Sequence, residues 1–175
     1  MALHIIVDGY NLIRRSHVMG PIDQQDLELG RQALLDRLAG YKRLKGHQIT
    51  VVFDGAAQHS VFGRTDREKG INVRFSRHGE SADAVIKRMA RREGEKALIV
   101  SSDHEVSGYS ASQGAAVIEA REFEQKLEMA EYMNMKGSSP EAEIEEGGTL
   151  DTRKKGPSKK PPKQKRKHQR KIQKL

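Results

Sequence analysis

The sequence predicts a three-layer α/β/α domain, in which helices cover both faces of a central, mainly parallel β-sheet. Four short apolar runs of the kind that is buried in a parallel sheet alternate with segments of helical periodicity. These runs are His4 to Val7, Ile49 to Phe53, Ala97 to Val100 and Ala115 to Ile118. Alternating strands and helices joined by right-handed crossovers build a sandwich of this kind.

A fifth run, Ile71 to Phe75, alternates apolar and polar residues and therefore predicts an edge strand. The first long helix is predicted from residues that recur three or four positions apart, and all of them except Arg31 form one apolar face. The set comprises Leu27, Arg31, Leu34, Leu38 and Tyr41.

Two further helices complete the prediction. One begins after Ser81, a favourable N-cap residue, and turns Val85, Ile86 and Met89 towards the core. The other runs from Arg121 to Asn134, and its inner face consists of Phe123, Leu127 and Ala130.

The net charge of +8 is distributed unevenly along the 175 residues. Residues 151–175 carry 12 Lys and Arg against one acid, whereas residues 1–150 carry 20 against 23 and are slightly acidic. Because the basic segment has three prolines and few large apolar residues, we expect it to be disordered. The predicted organisation is a folded domain at 1–136, an acidic flexible linker at 137–150 and a disordered Lys/Arg-rich tail at 151–175.

The chain contains no cysteine, which excludes disulfides, thiolate metal sites and cysteine nucleophiles. That composition is typical of a reducing compartment. No stretch approaches the roughly 20 apolar residues that a membrane span requires. We therefore expect a soluble, cytoplasmic protein with no membrane partner.

Acidic side chains follow the predicted strands at the points where the strands end. Asp8 and Asp54 follow the first two strands directly, and Ser101, Ser102 and Asp103 follow another. A further acidic pair, Glu80 and Asp83, lies where the second predicted helix begins. Because sites in open parallel sheets form beyond the carboxyl ends of the strands, we expect these carboxylates to converge.

A cluster of carboxylates requires a compensating charge. Two unit charges about 4 Å apart repel by roughly 4 kcal/mol at an effective dielectric constant of 20. Oxygen ligands without His or Cys favour Mg²⁺ or Mn²⁺ over zinc. Such ions activate water and stabilise the charge that develops during phosphodiester displacement, so the pattern predicts metal-dependent hydrolysis of a phosphodiester.

Each of these residues also has a purely structural interpretation. An Asp after a strand is commonly a turn or N-cap residue, and Glu80 and Asp83 could simply stabilise a helix N-terminus. The basic tail could serve only solubility, although its charge density favours a polyanionic partner. A phosphatase of another α/β fold would typically carry an Asp-x-Asp motif after the first strand, where this chain reads Asp8, Gly9 and Tyr10.

Four sequence blocks, taken in order, resemble the YacP-like NYN proteins. This family is related to the PIN-domain nucleases and includes a ribosome-associated endoribonuclease that cuts messenger RNA. The blocks are IIVDGYNLI at Ile5 to Ile13, VVFDG at Val51 to Gly55, GESADAVI at Gly79 to Ile86 and ALIVSSD at Ala97 to Asp103. The resemblance covers residues 3–135 and implies a PIN-like fold with an Mg²⁺ or Mn²⁺ ribonuclease site.

The resemblance also implies roles for individual residues. Asp8, Asp83 and Asp103 are the expected catalytic metal ligands, and Asn11 is the hydrogen-bonding companion of Asp8. Glu80 and Asp54 are expected as further metal ligands. The expected RNA contacts are Ser101, Ser102, Arg14 and Arg15 near the site, and Lys159, Lys160, Lys165, Arg166 and Lys167 in the tail.

The expected function is a metal-dependent endoribonuclease, with messenger RNA at the ribosome as a candidate substrate. The alternative is a noncatalytic RNA- or ribosome-binding protein that uses the basic tail for affinity. A degenerate domain would usually have lost one of the carboxylates, and this chain retains them. The Glu-rich linker and Lys-rich tail depart from the family pattern, so the resemblance does not carry over the same manner of ribosome targeting.

Overall fold

A computed structural model describes residues 3–55, 65–137 and 163–175, and it has the predicted alternation of strands and helices. The strands are β1 (His4–Asp8), β2 (Gln48–Phe53), β3 (Thr65–Glu68), β4 (Ile71–Phe75), β5 (Ala97–Val100) and β6 (Ala116–Ile118). The helices are α1 (Gly9–Arg15), α2 (Met19–Gln25), α3 (Leu27–Lys45), α4 (Ala82–Glu93), α5 (His104–Ser112), α6 (Ala120–Gly137) and α7 (Lys163–Gln173). The tail lysines Lys159 and Lys160 and the predicted linker from residue 138 onwards lie outside the described residues.

The strands form one six-stranded sheet in the order β3-β4-β2-β1-β5-β6. Strand β1 lies at the centre and pairs in parallel with β2 on one side and β5 on the other. The pairing of β3 with β4 is antiparallel, whereas the other four pairings are parallel. The predicted mainly parallel sheet is therefore confirmed.

Side chains of β1 alternate between two hydrophobic cores. Ile5 and Val7 belong to the larger core, which the sheet shares with α1, α3 and α6. Ile6 belongs to the smaller core beneath α4 and α5. The alternation follows from the two-residue period of a strand, and it confirms the three-layer arrangement. No helix in the described parts of the chain is long and apolar enough to cross a membrane.

The edge of the sheet differs from the prediction. Strand β4 was expected at the edge, but β3 covers it, and β3 is made entirely of the polar residues Thr65, Asp66, Arg67 and Glu68. A segment without an apolar residue has no strand signature in the sequence. Charged side chains on an edge strand discourage pairing with another chain.

Helix α3 also differs from the prediction in its first turns. Leu34, Leu38 and Tyr41 are buried as expected, whereas Leu27 is 41% exposed and Arg31 is only 8% exposed. Arg31 is accommodated because its guanidinium donates hydrogen bonds to the Tyr10 hydroxyl and to Glu28. Arg31 is therefore buried and Leu27 exposed, the opposite of the prediction, because buried polar groups depend on hydrogen-bond partners that periodicity does not reveal.

The last part of the basic tail, residues 163–175, differs from the predicted disorder. It contains α7 and packs on the domain. Leu175 is buried in the larger core, and its carbonyl accepts a hydrogen bond of 2.8 Å from the Tyr41 hydroxyl. The ring nitrogen Nε2 of His168 lies 3.1 Å from the backbone nitrogen of Val117 and 2.8 Å from its carbonyl oxygen, at the free edge of β6. Residues 163–175 are thus held to the domain by the apolar side chains of Ile172 and Leu175 together with these hydrogen bonds.

Replacing Leu175 by alanine should destabilise the domain, because it removes a buried side chain from the larger core. We expect the free energy of unfolding to fall by about 2 kcal/mol in a urea titration. The exposed substitution Lys165→Ala on α7 is the matched control and should change it by less than about 0.5 kcal/mol. Equal stability of the two variants would show that α7 does not depend on this anchor.

Candidate active site

Asp8 is held at the carboxyl end of the central strand and is 7% exposed. It is also the N-cap of α1, where its Oδ1 accepts a hydrogen bond from the backbone N–H of Asn11 at 3.4 Å. Its Oδ2 accepts a hydrogen bond from the Ser101 hydroxyl at 3.1 Å. The carboxylate is thus fixed by one partner on its own helix and one partner beyond the neighbouring strand.

Gly9 allows α1 to begin immediately after this carboxylate. A Cβ atom at position 9 would lie 2.3 Å from Cε1 of Phe53, which is far inside van der Waals contact. The close approach of the β2 side chain therefore requires glycine here. Asp8 can consequently serve as strand end and helix cap without an intervening turn.

Asp103 is the second fixed carboxylate. It is the N-cap of α5, and its Oδ1 accepts hydrogen bonds from the backbone N–H groups of Glu105 at 2.8 Å and Val106 at 2.9 Å. Its own N–H donates to the Ser101 hydroxyl oxygen at 3.1 Å. The fully buried Ser101 side chain therefore links Asp8 and Asp103.

Asn11 and Ser102 continue this network across the end of the sheet. The Asn11 side-chain oxygen accepts a hydrogen bond from the Ser102 N–H at 2.9 Å, and the Ser102 hydroxyl oxygen accepts one from the N–H of Ala120 at 3.1 Å. These contacts join the first turn of α1, the loop after β5 and the start of α6. Two crossover connections and the start of the helix after the last strand are therefore joined at the end of the sheet that carries the acids.

Asp83 approaches from α4, which packs on the same face of the sheet as α5. It lies in the first turn of α4, which begins as predicted after Ser81, whose hydroxyl oxygen accepts a hydrogen bond from the N–H of Ala84 at 3.2 Å. Asp8, Asp54, Asp83 and Asp103 all line one open cleft of about 500 Å³. The structure therefore brings these four aspartates to one cleft, and their role as metal ligands stays a prediction.

The acids influence one another electrostatically. Burial is the main cause of a pKa of about 6 for Asp8; the charges of Asp83 and Asp103 act in the same direction, and the hydrogen bonds from Asn11 and Ser101 oppose it. Burial and the neighbouring Asp103 carboxylate also raise the pKa of Asp83. The backbone hydrogen bond from Val106 is the main cause of the lowered pKa of Asp103. The cleft is therefore a site where added positive charge is favoured.

The acids are not preassembled into a tight ligand cage. Across residues 3–55, 65–137 and 163–175, no three His, Cys, Asp or Glu side chains are grouped closely enough to hold a metal ion unaided. The donor set nevertheless fits Mg²⁺ or Mn²⁺ chemically, because it offers carboxylate and amide oxygens. Magnesium commonly keeps several waters and binds through one or two carboxylates together with substrate phosphates.

Glu80 does not join the other acids, although the sequence predicted it as a metal ligand. Its carboxylate pairs with Arg88 and accepts a hydrogen bond from the N–H of Arg77, and it does not line the cleft. The hydrogen bond from Arg88 is the main cause of its lowered pKa. Glu80 precedes the N-cap Ser81 and therefore lies outside α4, whereas Asp83 lies in its first turn.

The basic residues divide into two groups. Arg14 and Arg15 line the cleft that contains Asp8, and their contact with a substrate stays a prediction. Lys165 and Arg166 are exposed on α7, and Lys167 forms a salt bridge of 3.2 Å with Glu95. Because Glu95 precedes β5 whereas Asp103 follows it, this salt bridge lies towards the end of the sheet opposite the acids.

Sequence reasoning missed three residues near the acids. Tyr10 and Leu27 line the cleft, and Lys87 interacts electrostatically with Asp83 and Asp103 while it pairs with Glu105. The spacing of Asp83 and Lys87, four residues apart on one helix, was a usable signal for the lysine. The sequence gives no comparable signal that Leu27 lines the cleft, and its spacing instead predicted that it lies on the apolar face of α3.

Comparisons with known proteins identify the family and the fold. The sequence model of the YacP-like NYN domain family matches residues 5–174. The uncharacterized protein YacP of Bacillus subtilis (strain 168) is 28% identical over 132 residues, which span 73% of this chain and 76% of YacP. The family match includes α7 as well as the acids.

Two solved structures share the fold. A crystal structure of a mutant of Rae1 (YacP) from Bacillus subtilis is 25% identical, with a TM-score of 0.65, and the match covers 77% of this chain and 80% of that one. Another crystal structure of Rae1 (YacP) matches with a TM-score of 0.62 at 24% identity, over 78% of this chain and 79% of that one. The mixed α/β architecture of this chain is thus a PIN-like fold.

The buried Asp8 carboxylate should make the free energy of unfolding depend on pH. Its pKa is raised from 3.8 to about 6 on folding, so its ionisation destabilises the folded state as the pH rises through that window. In EDTA, Asp8→Asn should therefore be more stable than the native chain by up to about 3 kcal/mol at pH 8, and the gain should shrink towards pH 4.

Urea titrations at several pH values measure this difference. The exposed substitution Asp36→Asn is the matched control, since its carboxylate lies on the surface of α3, and its effect should stay within about 0.5 kcal/mol. A gain for Asp8→Asn that did not grow with pH would contradict the proposed cost of burying this charge.

Proposed function

We propose, because the chain belongs to the YacP-like NYN domain family, that it is a metal-dependent endoribonuclease that hydrolyses phosphodiester bonds of RNA. Membership of this family indicates a nuclease-type, RNA-related function. The observation that carries the finer proposal is the cleft at the end of β1, β2 and β5, which four aspartates line together. We further propose Mg²⁺ or Mn²⁺ as the cofactor and the cytoplasm as the location.

Each carboxylate is held in the cleft by a different part of the structure. Asp8 is rigid and buried, Asp103 is oriented by the first turn of α5, and Asp83 enters from α4. In our proposal these three side chains hold the divalent ion, and Asp54 supports them from the loop after β2. A bound divalent ion would activate the attacking water and offset the charge that develops on the phosphate.

The neighbouring polar residues would position the RNA. Asn11 lines the cleft with its side-chain oxygen fixed by Ser102, so its amide group can donate to a phosphate oxygen. Arg14 and Arg15 supply positive charge on the same wall. In our proposal Ser101 and Ser102 are positioning residues, because Ser101 donates a hydrogen bond to Asp8 and Ser102 donates one to Asn11.

The alternative is a noncatalytic protein that binds RNA or the ribosome through its basic residues. The absence of a tight three-acid cage among the described residues is the observation that keeps this alternative in play. The raised pKa values of Asp8 and Asp83 favour the enzyme instead, because a binding module gains nothing from crowding carboxylates in a cleft. The two proposals differ in whether single-acid variants abolish cleavage.

Conservative replacement of the cleft acids should abolish cleavage. We expect Asp8→Asn, Asp83→Asn and Asp103→Asn each to reduce the rate on a labelled single-stranded RNA, with Mn²⁺ or Mg²⁺, by about 100-fold or more. Glu80→Gln is the matched control and should retain activity, because Glu80 pairs with Arg88 outside the cleft. Cleavage by all four variants at the native rate would contradict the catalytic assignment. A parallel assay on translating ribosomes tests whether messenger RNA at the ribosome is the substrate.

The basic face of α7 should contribute charge-dependent affinity for RNA. Lys165→Gln combined with Arg166→Gln should weaken binding and reduce the slope of log affinity against log salt by about 0.7 for each phosphate that is no longer neutralised. Point changes are preferable to deletion of the tail, because Leu175 anchors the core. Arg91→Gln, an exposed position on α4, is the control. An unchanged slope in the double variant would remove α7 from the RNA-binding surface.

A further inference from the structure

We infer that Tyr10 and Arg14 form a platform on which one unpaired nucleobase stacks, with Leu27 on another part of the same cleft wall. All three side chains line the cleft that contains Asp8. The inference rests on the proposed function, because it assigns a base subsite to the RNA whose phosphate would lie at the acids. It narrows the substrate class to single-stranded or locally unpaired RNA.

The Tyr10 ring is held in place from behind. Its centroid lies 5.1 Å from that of Phe53 in an edge-on arrangement with an interplanar angle of 61°. Its hydroxyl oxygen accepts a hydrogen bond of 3.0 Å from Arg31 Nη1. The aromatic ring is therefore oriented before any ligand arrives, which is the requirement for an efficient stacking surface.

Arg31 is an unusual support for the partly buried Tyr10. It is 8% exposed, and its guanidinium also bonds Glu28 and lies 5.6 Å from the centroid of the Phe75 ring. Placing a guanidinium below the surface costs free energy that its partners must offset. One of those partners is the hydroxyl of a residue two positions after Asp8, so the buried charge fixes a group beside the acids.

A cation lies over the Tyr10 ring. The guanidinium carbon of Arg14 lies 5.3 Å from the Tyr10 centroid, and Arg14 is exposed. Aromatic rings and arginine planes are the surfaces on which proteins stack bases of single-stranded nucleic acids. A base in a duplex keeps its stacked neighbours and cannot lie flat on such a platform.

Two other tyrosines show what distinguishes Tyr10. Tyr41 is 1% exposed and belongs to the core, where its hydroxyl bonds Leu175. Tyr132 on α6 carries Lys136 at 4.9 Å from its ring centroid, again four residues further along a helix, but it is 54% exposed and does not line the cleft. Tyr132 is therefore a control with a comparable tyrosine–cation pair, here with lysine, outside the cleft.

The experiment compares two ligands of equal length and charge, a fluorescent oligouridylate and an abasic ribose-phosphate oligomer. Fluorescence anisotropy in EDTA measures both affinities without cleavage. We expect the native chain to bind the oligouridylate about 5- to 100-fold more tightly than the abasic oligomer. Tyr10→Leu should remove most of that ratio, whereas Tyr132→Leu should retain it.

Two further variants keep the test decisive if Tyr10→Leu fails to fold. Arg14→Gln changes an exposed residue and should lower the ratio, because it removes one layer of the platform. Tyr10→Phe keeps the ring and should retain most of the ratio. Equal affinity of the native chain for the two oligomers, including no binding to either, would overturn the inference, as would an unchanged ratio in both Tyr10→Leu and Arg14→Gln.

The ratio separates this inference from the proposed enzyme activity. Base-dependent binding through Tyr10 with no metal-dependent cleavage would leave the subsite standing and overturn the nuclease proposal. Cleavage by the native chain without any base dependence would overturn the subsite alone.

Discussion

The hydrogen bond from the Ser101 hydroxyl to the buried Asp8 carboxylate joins the ends of two neighbouring strands, β1 and β5. Because the same hydroxyl oxygen accepts the N–H of Asp103, one serine sets the positions of two acids. Burying Asp8 raises its pKa to about 6, so the fold bears a cost to keep this group in place. A structural turn residue needs no such arrangement, and the cost is understandable if the carboxylate acts on a ligand that carries positive charge.

The topology explains why the acids meet. Strand β1 is central, and the chain leaves it towards β2 on one side and later returns to β5 on the other, which creates a crevice at their carboxyl ends. Asp8 shares the strand face of Ile6, whose side chain lies in the core under α4 and α5, and these helices bring Asp83 and Asp103. Another wall of the cleft is formed by α1, which supplies Tyr10 and Arg14, and by the start of α3, which supplies Leu27.

Much of this arrangement was predictable from the sequence, because apolar runs, strand ends and N-cap residues have local signatures. The sheet, the helix after Ser81 and the four aspartates of the cleft follow from such patterns. The residues whose positions were predicted wrongly depend on tertiary partners. Glu80 pairs with Arg88, Arg31 is buried against Tyr10, and Leu175 packs beside Tyr41. Strand β3 was not predictable from periodicity, since all of its residues are polar.

The central claim is that the aspartate-lined cleft binds a divalent ion, and anomalous X-ray diffraction from crystals soaked in Mn²⁺ tests it most directly. Data collected near the manganese absorption edge locate the ion independently of any activity. We expect an anomalous peak in the cleft next to Asp8, Asp83 and Asp103, and its disappearance in crystals of Asp8→Asn. A native crystal at saturating Mn²⁺ with no peak in the cleft, or with peaks only at other acidic positions, would contradict it.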